Sequence, residues 1–272
     1  MTARPAADEE VGLLLNEEVA EGFRLARLAA PHLARIGQPG QFVQVRVREG
    51  HEPLLRLPLS LAGVDPDAGT IDLLYEVRGP KTRALAGVRT GESLRCLGPL
   101  GVGFTLPAGD ARVLLVGGGI GVPPLLFLGH CLRREGGRPE LLVGARTAAR
   151  HLPGRLLTPA AVTLRLATDD GSAGHRGPVT ELLVDSLTTA PATAVCACGP
   201  EPMLAAVAAL CRQFGVPCQV SLEAYMACGI GICVGCVVEV AAPPGASPYE
   251  RYRRVCVDGP VFDALTVRWS QP

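Results

Sequence analysis

Apolar and polar residues alternate over Phe42-Val43-Gln44-Val45-Arg46-Val47 and again from Ile71 to Val77, the period of a half-buried β-strand. Turn residues interrupt the stretch from Val11 to Leu106 at Gly37, Pro39-Gly40, Asp65-Pro66, Gly69, Gly79-Pro80 and Gly98-Pro99. Short strands at that spacing predict an antiparallel barrel or sandwich, ending near Pro107-Ala108-Gly109. From Arg112 the period changes. Val113-Leu114-Leu115-Val116 is an unbroken apolar strand, followed by a glycine turn and a helix-compatible stretch from Pro124 to Glu135. Further strands are predicted at Glu140 to Val143, Val162 to Ala167 and Thr193 to Ala197, with helices at Thr180 to Ser186 and Pro202 to Phe214. Buried strands alternating with helices predict a doubly wound parallel sheet. The segment after Val216 is too short for a good apolar core of its own and carries five of the ten cysteines, so an inorganic group is expected to hold it. The expected division is 1–108, 109–215 and 216–272.

Composition narrows the classes. The 272 residues are 48% hydrophobic and 19% charged, a globular composition. Twenty-six basic residues balance 26 acidic ones, which leaves no electrostatic footprint for nucleic acid or an anionic membrane. Met1 to Glu10 ends in Asp8-Glu9-Glu10 where a secretory leader needs an apolar run, so a cytoplasmic protein is expected. The apolar run Val113 to Leu128 is broken by glycines and prolines and falls short of the ~20 residues of a membrane helix, so no membrane span is expected. In a reducing compartment ten cysteines are not a disulfide framework, so the clustered ones are read as metal ligands or redox groups. Cys96, Cys131, Cys196, Cys211 and Cys218 lie mostly in apolar contexts and read as small buried hydrophobes.

Cys228, Cys233, Cys236 and Cys256 have the C-x4-C-x2-C…C spacing of plant-type 2Fe-2S proteins. Gly229, Gly231 and Gly235 would let the backbone turn tightly enough for amides to face the sulfurs. A zinc site of four thiolates is the alternative, and the four-residue gap suits it less well. Gly117, Gly118, Gly119 and Gly121 follow a strand and precede a helix, the setting in which a glycine turn holds a dinucleotide pyrophosphate; a turn without a ligand is the alternative. Cys198-Gly199-Pro200 follows another apolar strand, so it falls at the ligand-binding edge of a parallel sheet or simply caps the next helix. Arg56 to Ser60 and Gly79-Pro80-Lys81-Thr82 put cations and hydroxyls at strand ends, a combination able to hold a phosphate and hydrogen-bond a ring.

The run from Ser221 through Glu223 and Met226 to Cys236, with Cys256-Val257-Asp258-Gly259-Pro260-Val261-Phe262, resembles the electron-transfer subunits of heteromeric NAD-linked dihydroorotate dehydrogenases, in the ferredoxin-NADP reductase superfamily. Leu97 to Phe104 and Thr168 to Thr180 carry the resemblance further, and it spans nearly the whole chain. It implies FAD on an N-terminal six-stranded antiparallel barrel, NAD on a central doubly wound α/β domain and a 2Fe-2S cluster in a small C-terminal domain. Carried over by residue, FAD falls to Arg56, Pro58, Leu59, Ser60, Leu74, Tyr75, Glu76, Gly79, Lys81 and Thr82. The NAD pyrophosphate falls to Gly117, Gly118, Gly119 and Gly121, and the nicotinamide lies near Cys198 and Gly199. The cluster ligands are the four cysteines.

The family usually has Arg three residues before the serine, where this chain has Leu57. Adjacent strand residues face opposite ways, so Arg56 replaces it only if the strand bulges. Lys81, the single lysine and a glycine in the family, is the other source of charge. No acid-base motif for carbon chemistry is visible, so the oxidation is expected on a partner. The resemblance makes that partner an FMN-containing dihydroorotate dehydrogenase catalytic subunit, in a heterotetramer of two of each chain, with the cluster domain at the interface. Two rivals stay open: a diaphorase subunit of an NADH-dependent ferredoxin:NADP oxidoreductase or cytosolic hydrogenase, and a flavin-free redox-sensing or zinc scaffold. His175 and Glu223 lie in family-like segments and read as structural.

Overall fold

The computed structural model describes residues 6–48, 50, 53–242, 245 and 247–269. The expectation of no leader rests on Met1 to Glu10, of which Met1 to Pro5 lie outside the described residues.

Six antiparallel strands close into a barrel in the order β1-β2-β5-β4-β3-β6: β1 (Ala7–Ala20), β2 (Phe23–Ala29), β3 (Phe42–Arg46), β4 (Leu57–Asp65), β5 (Thr70–Glu76) and β6 (Ser93–Leu100). Closure is made by β1, which pairs with β6 from Ala7 opposite Gly98 to Gly12 opposite Ser93. The alternation seen in the sequence sorts the faces: Val43, Val45, Leu57, Leu59, Leu61, Leu73 and Tyr75 fill the interior. Two short helices, α1 (Pro31–Ile36) and α2 (Pro80–Ala86), accompany the barrel; each starts with proline in its first turn and runs too briefly to show a helical period.

The second layer is a seven-stranded sheet built on β7 (Arg112–Gly118), β8 (Arg138–Ala145), β9 (Thr163–Thr168), β10 (His175–Arg176), β11 (Ala194–Cys198) and β12 (Cys218–Ser221), in the order β10-β9-β8-β7-β11-β12. These six run parallel. Helices α3 (Val122–Arg134), α4 (Gly154–Leu157), α5 (Val179–Thr189) and α6 (Glu201–Phe214) complete the α/β alternation. The remaining segment forms the small pair β13 (Val237–Glu239) and β14 (Tyr252–Arg254), then β15 (Val261–Asp263), which joins β12 antiparallel as the seventh strand. The sheet therefore extends past residue 215.

Helix α3 is buried over nearly its whole circumference, from Val122 to Gly129. One side packs on the sheet and the other on outward-facing barrel residues: Phe23, Leu25, Ala62 and Leu74 share a core with Leu125, Leu126 and Val143. Cys236, Val255 and Cys256 pack on Phe42 and Leu100 of the barrel exterior. Barrel, sheet and cysteine-rich segment thus meet along one seam. Among the described residues no helix is long and apolar enough to cross a membrane. Cys96, Cys196, Cys211 and Cys218 are buried and Cys131 is half-buried, as their apolar contexts predict.

Candidate functional site

The cysteine loop is shaped by its glycines. Gly229 and Gly231 adopt φ of +71° and +83°, which side chains disfavour. The third left-handed residue is Val234 at +55° rather than Gly235, so the glycine reading holds at two positions and fails at one. The loop amides face inward: the N–H of Cys233 donates to Cys228 Sγ at 3.4 Å, and Ile230 and Ile232 add amides to the same sulfur. Together these donors hold the half-buried Cys228 thiol down, to about 6. The N–H of Cys256 donates to Cys236 Sγ at 3.4 Å, and burial pushes the Cys256 thiol up to about 12.

The four sulfurs stand as two pairs. Cys228 and Cys233 are 3.3 Å apart, and Cys236 touches Cys256. Among the described residues no three potential ligands gather around one point. A single zinc ion needs four sulfurs around one centre, whereas a two-iron cluster needs two thiolates per metal. The donor set fits the cluster.

Beside this loop lies a cavity of about 210 Å³ at the seam. Phe42, Pro58, Leu59, Ser60 and Leu74 give the barrel wall, and Ile120 and Pro123 give the end of the glycine turn. Cys198 contributes from the sheet edge, and Ser221 to Ala224 with Met226 lead directly into the cysteine loop. The two nucleotide-side loops are in backbone contact, since a methyl group at Gly121 would stand 2.2 Å from the Cys198 carbonyl oxygen. Gly118 is less confined, its methyl falling 2.6 Å from Met203 Sδ, part of a side chain that can move. Cys198 is a buried thiol kept protonated by desolvation and by nearby Glu223.

These features match known proteins. The family described as the iron-sulfur cluster binding domain of dihydroorotate dehydrogenase B matches residues 223–268. "Dihydroorotate dehydrogenase B (NAD(+)), electron transfer subunit" of Geobacillus kaustophilus is 42% identical over 248 residues, covering 90% of this chain and 93% of that one. Its namesake from Desulforamulus reducens is 36% identical over 241 residues, covering 89% and 90%. The chain belongs to this family of electron transfer subunits. A solved structure of an NADH-dependent reduced ferredoxin-NADP oxidoreductase, studied for flavin-based electron bifurcation, superposes with a TM-score of 0.82 at 29% identity, covering 95% and 90%. A ferredoxin NADP+ reductase from Neisseria gonorrhoeae with bound FAD and NADP shares the fold at a TM-score of 0.64 and 17% identity, covering 76% and 92%.

Within this family frame the barrel residues sort themselves. Pro58, Leu59, Ser60 and Leu74 reach the cavity. The Tyr75 side chain instead points into the barrel and donates its hydroxyl to Asn16 Oδ1 at 2.7 Å. Glu76 is held by Arg78 at 2.6 Å and by Arg150. Thr82 shapes its own turn, its hydroxyl accepting the N–H groups of Arg78 and Gly79 at 3.0 Å each. Arg56 lies before β4 rather than at a strand end, and its guanidinium clasps both oxygens of Asp8 at 3.0 and 2.7 Å. The bulge in β4 falls between Leu61 and Gly63, so Leu57 stays inside the barrel. Lys81 Nζ donates to the Arg56 carbonyl oxygen at 2.9 Å, the one bond found for it among the described residues, and burial lowers its pKa. It is a half-buried cation with no carboxylate partner among the described residues.

Glu223 is the cavity residue that the sequence undervalued, whereas His175 does pair structurally with Glu181 at 2.5 Å. Glu223 is exposed as a residue, but desolvation of its carboxyl raises it above its usual 4.5, against a lesser pull from Arg78. The sign follows: the native state binds a proton more tightly than the unfolded chain, so the contribution is full below about 4.5 and lost as pH rises through the raised native value. Glu223→Gln is expected to flatten that decline, measured as the urea midpoint from pH 4.5 upward. An unchanged pH slope would show that the carboxyl titrates normally.

Proposed function

We propose that the chain is the electron-transfer subunit of an NAD-linked dihydroorotate dehydrogenase in pyrimidine biosynthesis, coupling dihydroorotate oxidation on an FMN-bearing catalytic partner to NAD reduction. The observation that carries this reading is the cavity at the seam, where barrel, glycine turn and cysteine loop share one wall. In the proposed division, residues 1–108 hold FAD, 109–215 hold NAD and 216–272 hold the 2Fe-2S cluster, with β12 and β15 lent to the central sheet. When bound, these groups supply the electron chemistry: single electrons at the cluster, one or two at the flavin and a hydride at the nicotinamide.

The side chains bind, orient and exclude water. Pro58 and Leu74 offer an apolar wall for a flat ring, and Ser60 offers a hydroxyl, while the Leu59 side chain between Pro58 and Ser60 turns into the barrel. Gly119, where an added methyl would meet nothing within 4 Å, leaves room for a pyrophosphate just after β7, and Cys198 and Gly199 close the nicotinamide side. Lys81, with no anion beside it among the described residues, supplies the charge for the flavin pyrophosphate that Arg56 gives to Asp8. Lys81→Ala is expected to weaken FAD binding about tenfold or more, the size of a charge-assisted hydrogen bond. As the single lysine, Lys81 should also be protected by FAD from an amine-reactive reagent, read by mass spectrometry. Equal FAD affinity in the variant would remove it from the site.

The partner's docking face is drawn around the cysteine loop, where Ile232 is 76% and Val234 55% exposed beside the exposed Cys233. Exposed apolar residues flanking a redox loop fit a surface that another chain covers. Ile232→Asp is expected to weaken association with the catalytic subunit at least about tenfold in calorimetry, leaving iron content unchanged. Undiminished association would place the partner elsewhere. A heterotetramer of two of each chain in the cytoplasm belongs to the same proposal. An anaerobic absorption spectrum of the full chain, with flavin and iron quantified, tests the whole reading. Flavin and iron-sulfur bands that both bleach with NADH, and reoxidise through the partner only in complex, are expected. A colourless protein would refute it.

A further inference from the structure

Strand β3 carries a polar residue where its neighbours are apolar. Gln44 is 0% exposed on the barrel exterior, beneath the cysteine-rich segment, and among the described residues neither end of its amide has a hydrogen-bond partner. Its cross-strand neighbours are Pro58 on β4 and Leu97 on β6, whose side chains offer no acceptor. The remaining side is the cysteine loop. A methyl group built on Gly229 would stand 2.3 Å from Gln44 Nε2, 2.8 Å from Cγ and 2.9 Å from Cδ, so the loop backbone next to Cys228 rests directly on the amide. A buried primary amide left unpaired is destabilising, and native structures keep one where a ligand completes it.

An iron-sulfur cluster is rich in sulfur acceptors carrying negative charge, the component missing around Nε2. We propose that Gln44 is a positioning residue whose Nε2–H donates a hydrogen bond to sulfur on the Gly229 side of the cluster and raises its reduction potential. This rests on the cluster reading of Cys228, Cys233, Cys236 and Cys256. The donor favours the more negative, reduced state of the sulfurs over the oxidised one, which sets the sign. Gln44 does not itself line the cavity assigned to the flavin, although its neighbour Pro58 does.

The test is an anaerobic redox titration of the full chain, with the cluster followed by EPR and the flavin by absorbance, for wild type, Gln44→Leu and Gln44→Met. Both variants remove the N–H groups, and methionine keeps the unbranched length. At fixed poise the reduced-to-oxidised ratio of the cluster is expected to fall about tenfold in each, a drop of about 59 mV for one electron, with altered cluster g-values. In the cluster-free chain, both variants are expected to melt higher than wild type, because no orphaned amide remains. A loaded cluster with unchanged potential would overturn the proposal, as would a shift confined to the flavin. Failure of both variants to assemble a cluster would also overturn it, since a tuning contact leaves the four thiolates in place. A wild-type chain without the EPR signal would remove the role of Gln44 together with the functional reading beneath it.

Discussion

Cys256→Ala is expected to abolish iron binding and stop electron delivery between the two subunits, while NADH still reduces the flavin. Cys256 is the proposed ligand farthest along the chain, 1% exposed, and reaches the site because β14 and the turn after it bring it against Cys236. Without its sulfur one of the two metal positions keeps a single thiolate, and a two-iron cluster needs four. Iron content is therefore expected to fall below a tenth of wild type, with FAD retained. Dihydroorotate-dependent NAD reduction by the assembled complex should fall more than about a hundredfold, beyond what loss of an outer-shell contact produces. Iron quantification and steady-state turnover of the same preparation check it. A variant with full iron and a normal EPR signal would show that the fourth ligand lies elsewhere.

Gly121→Ala should be the most damaging small change on the nucleotide side. The glycine has an ordinary φ of −73°, so alanine is unobjectionable there on conformational grounds. Space is the obstacle: the new methyl would lie 2.2 Å from the Cys198 carbonyl oxygen, 2.3 Å from its carbon and 2.5 Å from the Gly199 nitrogen. Backbone atoms cannot rotate aside, so the turn before α3 and the loop before α6 must separate. Overpacking of this kind costs about 1–3 kcal/mol, which corresponds to several degrees in Tm for a chain of this size. The functional loss is larger, because a displacement of about 1 Å between reacting groups costs about a hundredfold in rate. Stopped-flow reduction of the flavin by NADH is expected to slow by that order, with the cluster's EPR signal unchanged. Wild-type rates in a folded variant would mean that the two loops do not position the nicotinamide.

What the sequence made legible was local. The cysteine spacing is a property of a few consecutive residues, and the strand-turn-helix at Val113 to Arg134 is read from one apolar run and its glycines. Barrel closure was not local. It depends on β1 meeting β6, pairs such as Glu9 with Cys96, and no short-range pattern separates that from a sandwich. The same holds for the face of β5: Leu74 and Tyr75 are adjacent, yet one reaches the cavity and the other the barrel interior, because the period of two sends neighbours apart. Glu223 read as structural because its cavity is assembled from segments as distant as Phe42 and Pro260. Gln44 gave no signal at all, since in a strand pattern it resembles any outward-facing polar residue. Family resemblance supplied the barrel and the division of cofactors, which spacing alone could not.

The antiparallel pairing of β12 with β15 has a consequence for how the metal centre is assembled. Backbone contacts from Gln219 opposite Asp263 to Ser221 opposite Val261, extended by Leu222 N–H to the Pro260 carbonyl oxygen, bring the two ends of the intervening segment together. The whole cysteine-bearing excursion is then an elaborated hairpin, stitched shut at its base by the sheet itself. Loop closure is an entropic penalty, and the backbone bonds between β12 and β15 that offset it involve no cysteine sulfur. The apoprotein should accordingly be a folded receptacle, ready for transfer of a preformed inorganic core.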